Sequence, residues 1–453
     1  MFKQLTLRLR DYLSIVRDSH AINSALSARC CVTRVPPEIW QHIFAFLYRE
    51  PPDWTAKHYM LAAPRLPEYI RITYRDLRAV CLVCNAWRDG AIALVYARVH
   101  LPTAIHMEKL LRSLRTRPQL VSYIRNIRLP DETRELPPVS TLPRPLAPRP
   151  FASKKRRLWR IGCAVDTLLR QCIDVTDITF GSNTSNIVYI HGNSATAPRL
   201  TRLHILGDPR PARSSVVTLY TRMDLPRDLW PHTHMTQITL QSVHLHWTGN
   251  LSFPHLRSLH IHFCVPSVPG WMRNIVEHCP VLDTLHVENT LNDRYGRRWS
   301  ADELRPARAS LRELRLDWHF PIASDGFAFL DQLTLLEISM WCLIDYGRNS
   351  PLSVLPPRLQ TLVLSSSHKL NSGVRSLLPY AAEIKKQLPK WKVHDSVGLT
   401  CVRLTADVDD GGVFFHTVSD WRILSFLLRP SCLALGVELE VSLFYIQYRS
   451  PSP

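Results

Sequence analysis

Apolar residues stand at positions i, i+3 and i+5 again and again through the second half of this 453-residue chain. Val175, Ile178 and Phe180 form one such triplet. Leu200–Leu203–Ile205, Leu256–Leu259–Ile261, Leu282–Leu285–Val287, Leu311–Leu314–Leu316, Leu333–Leu336–Ile338 and Leu359–Leu362–Leu364 repeat it. Ile124–Ile127–Leu129, Met235–Ile238–Leu240 and Leu399–Val402–Leu404 are less regular members. Positions i+3 and i+5 are two apart, so their side chains share one face of a short strand, and the residue at i enters that face from the preceding turn. Successive starts step mostly by 21 to 29 residues. At that period one strand and one returning helix or turn make a layer of a solenoid. The segment GWMRNIVEHCP at 270–280 fits a returning helix, with Trp271, Ile275 and Val276 toward the core.

The first hundred residues carry a helical pattern instead. In VPPEIWQHIFAFLYR, Ile39, Ile43, Phe46 and Leu47 recur as one stripe, and Trp40 and Phe44 widen it. Pro36 and Pro37 precede it, and proline suits a first helical turn because its missing N–H would be unbonded there. In DLRAVCLVCNAW, Asp76 caps a second helix on which Leu77, Val80, Cys81 and Cys84 share a side. The N-terminal stretch repeats Phe2, Leu5, Leu9, Leu13 and Val16 at helical spacing, and its acids Asp11 and Asp18 argue against a mitochondrial presequence. These patterns divide the chain into an amphipathic extension (1–34), a helical domain (35–100) with an insertion at 49–75, a connecting helix and first strand (101–129), a proline-rich basic linker (130–157), the repeats (158–430) and a C-terminal strand and tail (431–453). The linker holds seven prolines between Pro130 and Pro150, which favours extended, solvated chain. The fold class expected is α+β or α/β: a small helical domain followed by an irregular repeat arc.

Composition narrows the function. A net charge of +18 favours acidic partners. The excess is scattered, and Lys154–Arg157 is its one compact run, so neither a stripe nor a motif points to nucleic acid. No apolar stretch approaches the ~20 residues of a membrane-spanning helix. The eleven cysteines are dispersed and no signal peptide precedes them, so reduced thiols are expected. Cys81 and Cys84 lie among apolar neighbours without a second ligand pair nearby, which reads as packing rather than zinc. The phosphate-loop, dinucleotide, nucleophile-elbow and zinc-protease motifs are missing. Alternating His244 and His246, with His232 and His234, suit an exposed strand face. Catalytic residues, metal and cofactor are all expected to be absent.

Together VPPEIWQHIFAFL and DLRAVCLVCNAWRDGAIALVYARVHL resemble the F-box, a helical unit that docks on the Skp-type adaptor of cullin–RING ubiquitin ligases. Pro37, Glu38, Ile39, Ile43, Leu47, Leu77, Val83, Cys84 and Trp87 stand at the matching places, Val35 replaces the opening leucine, and the 49–75 insertion departs from the family's short turn. The resemblance implies adaptor contacts through Pro36, Pro37, Ile39, Ile43, Leu47, Leu77, Val80, Val83, Cys84 and Trp87. The later triplets resemble degenerate leucine-rich repeats. In that motif an Asn or Cys eight residues after each start satisfies backbone groups, and Asn183 and Cys264 match. The pairing of the two resembles the fungal group of F-box-like proteins and implies a substrate receptor. A scaffold outside any ligase is the alternative, separated from it by whether the chain co-purifies with the adaptor.

In such a repeat the residues between the apolar positions face outward on the concave side. Here they are Arg202, His204, Arg257, Ser258, His260, His262, Thr284, His286, Glu288, Arg312, Glu313, Arg315 and Asp317. Arginine pairs bidentately with carboxylate and phosphate. An acidic or phosphorylated protein target held by Arg257, Arg312 and Arg315, with His260 and His286 nearby, is therefore expected; the alternative is a set of solvated charges that keeps an apolar sheet soluble. SKKRRLWR after the prolines resembles a nuclear import signal, so cytoplasm, nucleus or both are expected.

Overall fold

The computed structural model describes residues 36–45, 75–101, 103–129, 164–180 without 166, 199–206, 221–224, 234–246 without 242, 253–266 without 263, 270–288, 300–317, 326–343, 352–366 without 353, 377–393, 398–409 and 418–446. The extension, the insertion as far as residue 74, the linker with Lys154–Arg157, Leu47 and Asn183 lie outside them. The chain divides into two compact units, one ending at Ala97 and one beginning at Arg98.

The first unit is helical. Helix α1 spans Pro37–Ala45, α2 residues 75–81 and α3 Asn85–Ala97. The Pro36 carbonyl accepts the Ile39 and Trp40 N–H groups at 3.1 and 3.4 Å, which starts α1. Two sequence expectations are corrected here. Asp76 lies inside α2 rather than capping it, and the helical spacing from Leu77 to Cys84 breaks after Cys81. Leu82 and Val83 form a turn, with N–H groups bonded to the Ala79 and Val80 carbonyls, and α3 begins only at Asn85.

The second unit is an α/β arrangement around an open sheet. Its strands are β1 (Arg98–His100), β2 (Asn126–Arg128), β3 (Asp177–Phe180), β4 (Arg202–Leu206), β5 (Thr221–Asp224), β6 (Gln237–Gln241), β7 (Val243–His246), β8 (Ser258–His262), β9 (Val265–Pro266), β10 (Thr284–Glu288), β11 (Glu313–Asp317), β12 (Leu335–Ser339), β13 (Thr361–Ser366), β14 (Cys401–Asp409) and β15 (Glu438–Ile446). Twelve of them make one parallel sheet in the order β1-β2-β3-β4-β6-β8-β10-β11-β12-β13-β14-β15; β5, β7 and β9 make a second parallel sheet. Parallel neighbours need crossovers. Helices α4 (Ala104–Thr116), α5 (164–171), α6 (Trp271–Glu277), α7 (Leu378–Val393) and α8 (Val418–Ala434) supply some of them, and 3-10 turns at Ala301–Ala307 and Met340–Leu343 accompany others. In α6, Trp271, Ile275 and Val276 are buried as their spacing predicts, and Met272 joins them.

The register explains the triplets. Ile127, Ile178, Leu203, Ile238, Leu259, Leu285, Leu314, Leu336, Leu362 and Val402 form one row across the sheet. All thirty triplet side chains, from the ten triplets, are at most 4 % exposed. Two further strands lack the leucine start. Val99 of β1 pairs with Ile127, and Leu439 of β15 pairs with Val402. The residue three before Leu439 is Gly436, whose φ of 65° ends α8 in the left-handed region. A helix-stop glycine stands where an inward apolar residue would otherwise begin the layer.

A backbone ladder runs along the residues just after each start. The Thr176 carbonyl accepts the N–H groups of Thr201 and Arg202, the Thr201 carbonyl those of Thr236 and Gln237, and the Thr236 carbonyl those of Arg257 and Ser258. The same double acceptance continues through Arg257, Asp283, Arg312, Thr334 and Gln360. Where the residue is threonine, its hydroxyl also donates to the previous carbonyl: Thr176 to Arg125, Thr201 to Thr176, Thr236 to Thr201, Thr334 to Arg312 and Thr400 to Gln360.

Candidate functional site

The helical unit has its own aromatic core. Phe44, Leu77 and Ala91 are buried, with Trp40, Val80, Cys81, Trp87, Leu94 and Val95 packed around them. The Trp40 and Phe44 rings stack at 5.7 Å, and Trp87 meets them at 5.2 and 5.5 Å. The α1 stripe is thereby turned: Trp40 and Phe44 face the core, whereas Ile39 and Ile43 are 48 % and 46 % exposed. In the turn after α2, Leu82 is 87 % and Val83 46 % exposed. Of the residues expected at an adaptor surface, Pro36, Ile39, Ile43 and Val83 are exposed, Leu77 is buried, and Val80, Cys84 and Trp87 are half-buried. Pro37 opens α1. Leu77 lies in the unit's own core, with Val80 and Trp87 packed against it. Cys81 and Cys84 carry free thiols, and burial raises the Cys81 pKa.

On the sheet, the residues between the buried rows form polar columns. One column runs His204, Thr239, His260, His286, Arg315, Glu337, Arg403 and Glu440, interrupted by Val363 between Glu337 and Arg403; in a second, Gln241, His262, Glu288 and Asp317 stand in register, as do Ser339, Ser365 and Thr405. The columns converge on a histidine cluster. His262 and His286 meet edge to face at 4.8 Å, His260 and His286 at 5.6 Å, and His260 and His262 at 6.0 Å. His262 Nδ1 lies 3.1 Å from Glu288 Oε2, and His260 Nε2 lies 2.8 Å from Ser258 Oγ. His262, His286 and Glu288 are buried, at 1 %, 5 % and 7 % exposure.

Their electrostatics follow from that burial. Desolvation, the largest cause, pushes the His262 pKa down to about 3. His260 falls to about 3 through burial and then through His262, Arg315 and His204. His204 falls to about 4 for the same first reason, with Asp177 acting in the opposite sense. The His262–Glu288 pair has ion-pair geometry, but the burial cost decides that the imidazole is neutral. An ionised Glu288 accepting at Nδ1 would place the proton there and leave the lone pair on Nε2. His262 Nε2 is buried and has no hydrogen-bond partner among the described residues.

The arginines expected to hold an acidic target are partly committed. Arg315 faces Glu313 at 3.6 Å and Glu337 at 3.7 Å, and Arg312 faces Asp283 at 3.7 Å. Arg257 is exposed and has no ion-pair partner among the described residues. Elsewhere Arg202 pairs with Asp177, Arg199 with Asp174 and Arg403 with Glu440. Several arginines thus meet carboxylates of neighbouring layers. The outward placement expected for His262, His286 and Glu288 is also corrected. On closely spaced parallel strands the imidazoles bury one another. The sequence reading had His260 and His286 but neither His262's buried nitrogen nor Glu288's part. Aligning the repeats puts His260 with His286 and His262 with Glu288 at equivalent positions, but it carries no signal of their burial. Cys264 donates its S–H toward the Leu240 and His262 carbonyls, the role expected for the residue eight after a start. Among the described residues no helix is long and apolar enough to cross a membrane.

No protein-family model matches the chain, and no curated protein matches it.

Proposed function

We propose that the chain is a substrate receptor of a Skp–cullin–F-box ubiquitin ligase, docking on the Skp-type adaptor through its helical unit and on a protein target through the repeat-bearing unit. One observation carries the reading. Ile39, Ile43, Leu82 and Val83 stay exposed on a unit whose core is already filled by Trp40, Phe44, Leu77 and Trp87. Those side chains are apolar surface left over for a partner, on the segment that resembles the F-box. Ligation chemistry would come from other subunits by proximity, so the chain itself acts without catalytic residues. The target side follows the outer sheet columns. Because Arg312 and Arg315 already face carboxylates, Arg257 is the arginine left for an acidic or phosphorylated segment. Cytoplasmic or nuclear residence, with import through Lys154–Arg157, belongs to the same proposal.

Co-expression of the tagged full chain with a Skp-type adaptor tests it. The wild type should retain the adaptor, and Ile39→Ala with Ile43→Ala should lose it while the circular dichroism spectrum stays unchanged. Absence of adaptor from the wild-type pull-down would replace the proposal with a scaffold outside any ligase.

A further inference from the structure

We propose that His260, His262 and His286 form a binding site for a divalent first-row transition ion, zinc foremost, with Glu288 as the residue that orients His262. The candidate ligand atoms of the three histidines lie within 4.8 Å of one another. They stand on backbone-paired strands, His260 opposite His286 and His262 opposite Glu288, so the sheet itself sets their spacing. Zinc at its usual ~2.0–2.1 Å from imidazole nitrogen would bring the three atoms to about 3.3 Å apart, which modest side-chain rotations supply.

Two further features fit that ion rather than plain packing. Metal-bound histidines commonly donate their other ring N–H to a carboxylate, and Glu288 occupies that place beside His262 Nδ1. The remaining nitrogen, Nε2, is buried and has no hydrogen-bond partner among the described residues, which is what a ligand awaiting its ion presents. Imidazole suits zinc, copper and nickel, and a set of three leaves one position for water or an incoming side chain. His260 is the partly exposed member and opens the way for the ion. Arg315, the nearest cation in register with His286, has its charge balanced by Glu313 and Glu337.

The site is tested on the full chain alone, without any adaptor, so its failure is separate from failure of the ligase reading. The chain is stripped by a chelator, dialysed, and titrated with Co²⁺ as a spectroscopic probe, with Zn²⁺ as competitor. One equivalent of Co²⁺ with ligand-field bands of low coordination number, displaced by Zn²⁺, is expected. His286→Asn should abolish those bands. Glu288→Gln should keep them but weaken affinity about 10–100-fold. His255→Asn, at a separate histidine pair, should change nothing. A wild type that takes up no Co²⁺ overturns the site. So does Co²⁺ binding of wild-type strength in a folded His286→Asn chain; if that variant does not fold, unchanged affinity in Glu288→Gln overturns it instead.

Discussion

An imidazole buried on the sheet resists protonation, and this has a readable effect on stability. His260 and His262 titrate at about 3 and His204 at about 4 when folded, against an ordinary value of 6.5. Between pH 6.5 and about 4 the unfolded chain therefore binds more protons than the folded one. Stability must then fall as pH falls through that window. Each independent group would contribute up to about 1.4 kcal/mol per pH unit, but these rings face one another and share protons, so the total slope is smaller than three groups would give. Urea midpoints measured with chelator at pH 7, 6 and 5 should decline, and His260→Asn should flatten the decline. A midpoint constant from pH 7 to 5 in the wild type contradicts this account. At the same scale, Thr201→Val removes one hydroxyl bond of the ladder without changing shape. It should cost about 0.5–1.5 kcal/mol, readable in the same urea assay.

Among the elements, α1 has one buried and one exposed apolar face, and on the proposed reading these separate stability from binding. Phe44, 3 % exposed and in contact with both tryptophans, holds the helical unit together. Phe44→Ala should cost about 3–5 kcal/mol and unfold that unit. Ile43 is 46 % exposed on the other face, so Ile43→Ala should change stability within about 0.5 kcal/mol while weakening adaptor capture. Comparable thermal losses for both variants would show that the faces are not distinct. In the sheet, Leu285 is fully buried between its counterparts Leu259 and Leu314. Leu285→Ala should cost about 2–5 kcal/mol, and the neighbouring Thr284→Ala much less.

For the whole second unit, each strand bonds only to the strands beside it, so stability is set by nearest-neighbour contacts. Amide exchange should be slowest in β8 to β13, which have partners on both sides and fully buried rows. It should quicken toward β1, three residues long and paired on one side only. Uniform exchange along the sheet would refute layered behaviour. The basic excess has a similar whole-molecule reading. The +18 is what remains after every carboxylate has been counted, so the cross-layer pairs of Arg199, Arg202, Arg308 and Arg403 leave it intact, and capture of an acidic target, on the proposed reading, should weaken as salt rises.

The triplets were legible from sequence because a parallel strand buried on one face needs the same apolar spacing in every layer, and spacing is a one-dimensional property. For that reason Leu259, Leu285 and Leu314 could be placed on one row without coordinates. The helical character of 37–45 and 85–97 was legible on the same ground. Periodicity could not say which apolar face of α1 turns inward. Ile39 and Trp40 are both hydrophobic, and only contact with Trp87 from another helix decided that the aromatic face is core. Nor could it place β1, which belongs to none of the triplets, or fix the bounds of β15, whose layer opens with Gly436 rather than leucine. The histidine cluster is the clearest case of what tertiary structure alone decided. His262 and Glu288 are 26 residues apart, and they meet because two layers stack in register. Burial then turned residues that alternate like solvent-facing ones into neutral imidazoles with a nitrogen left unbonded, since desolvation depends on neighbours in space and not on neighbours in the chain.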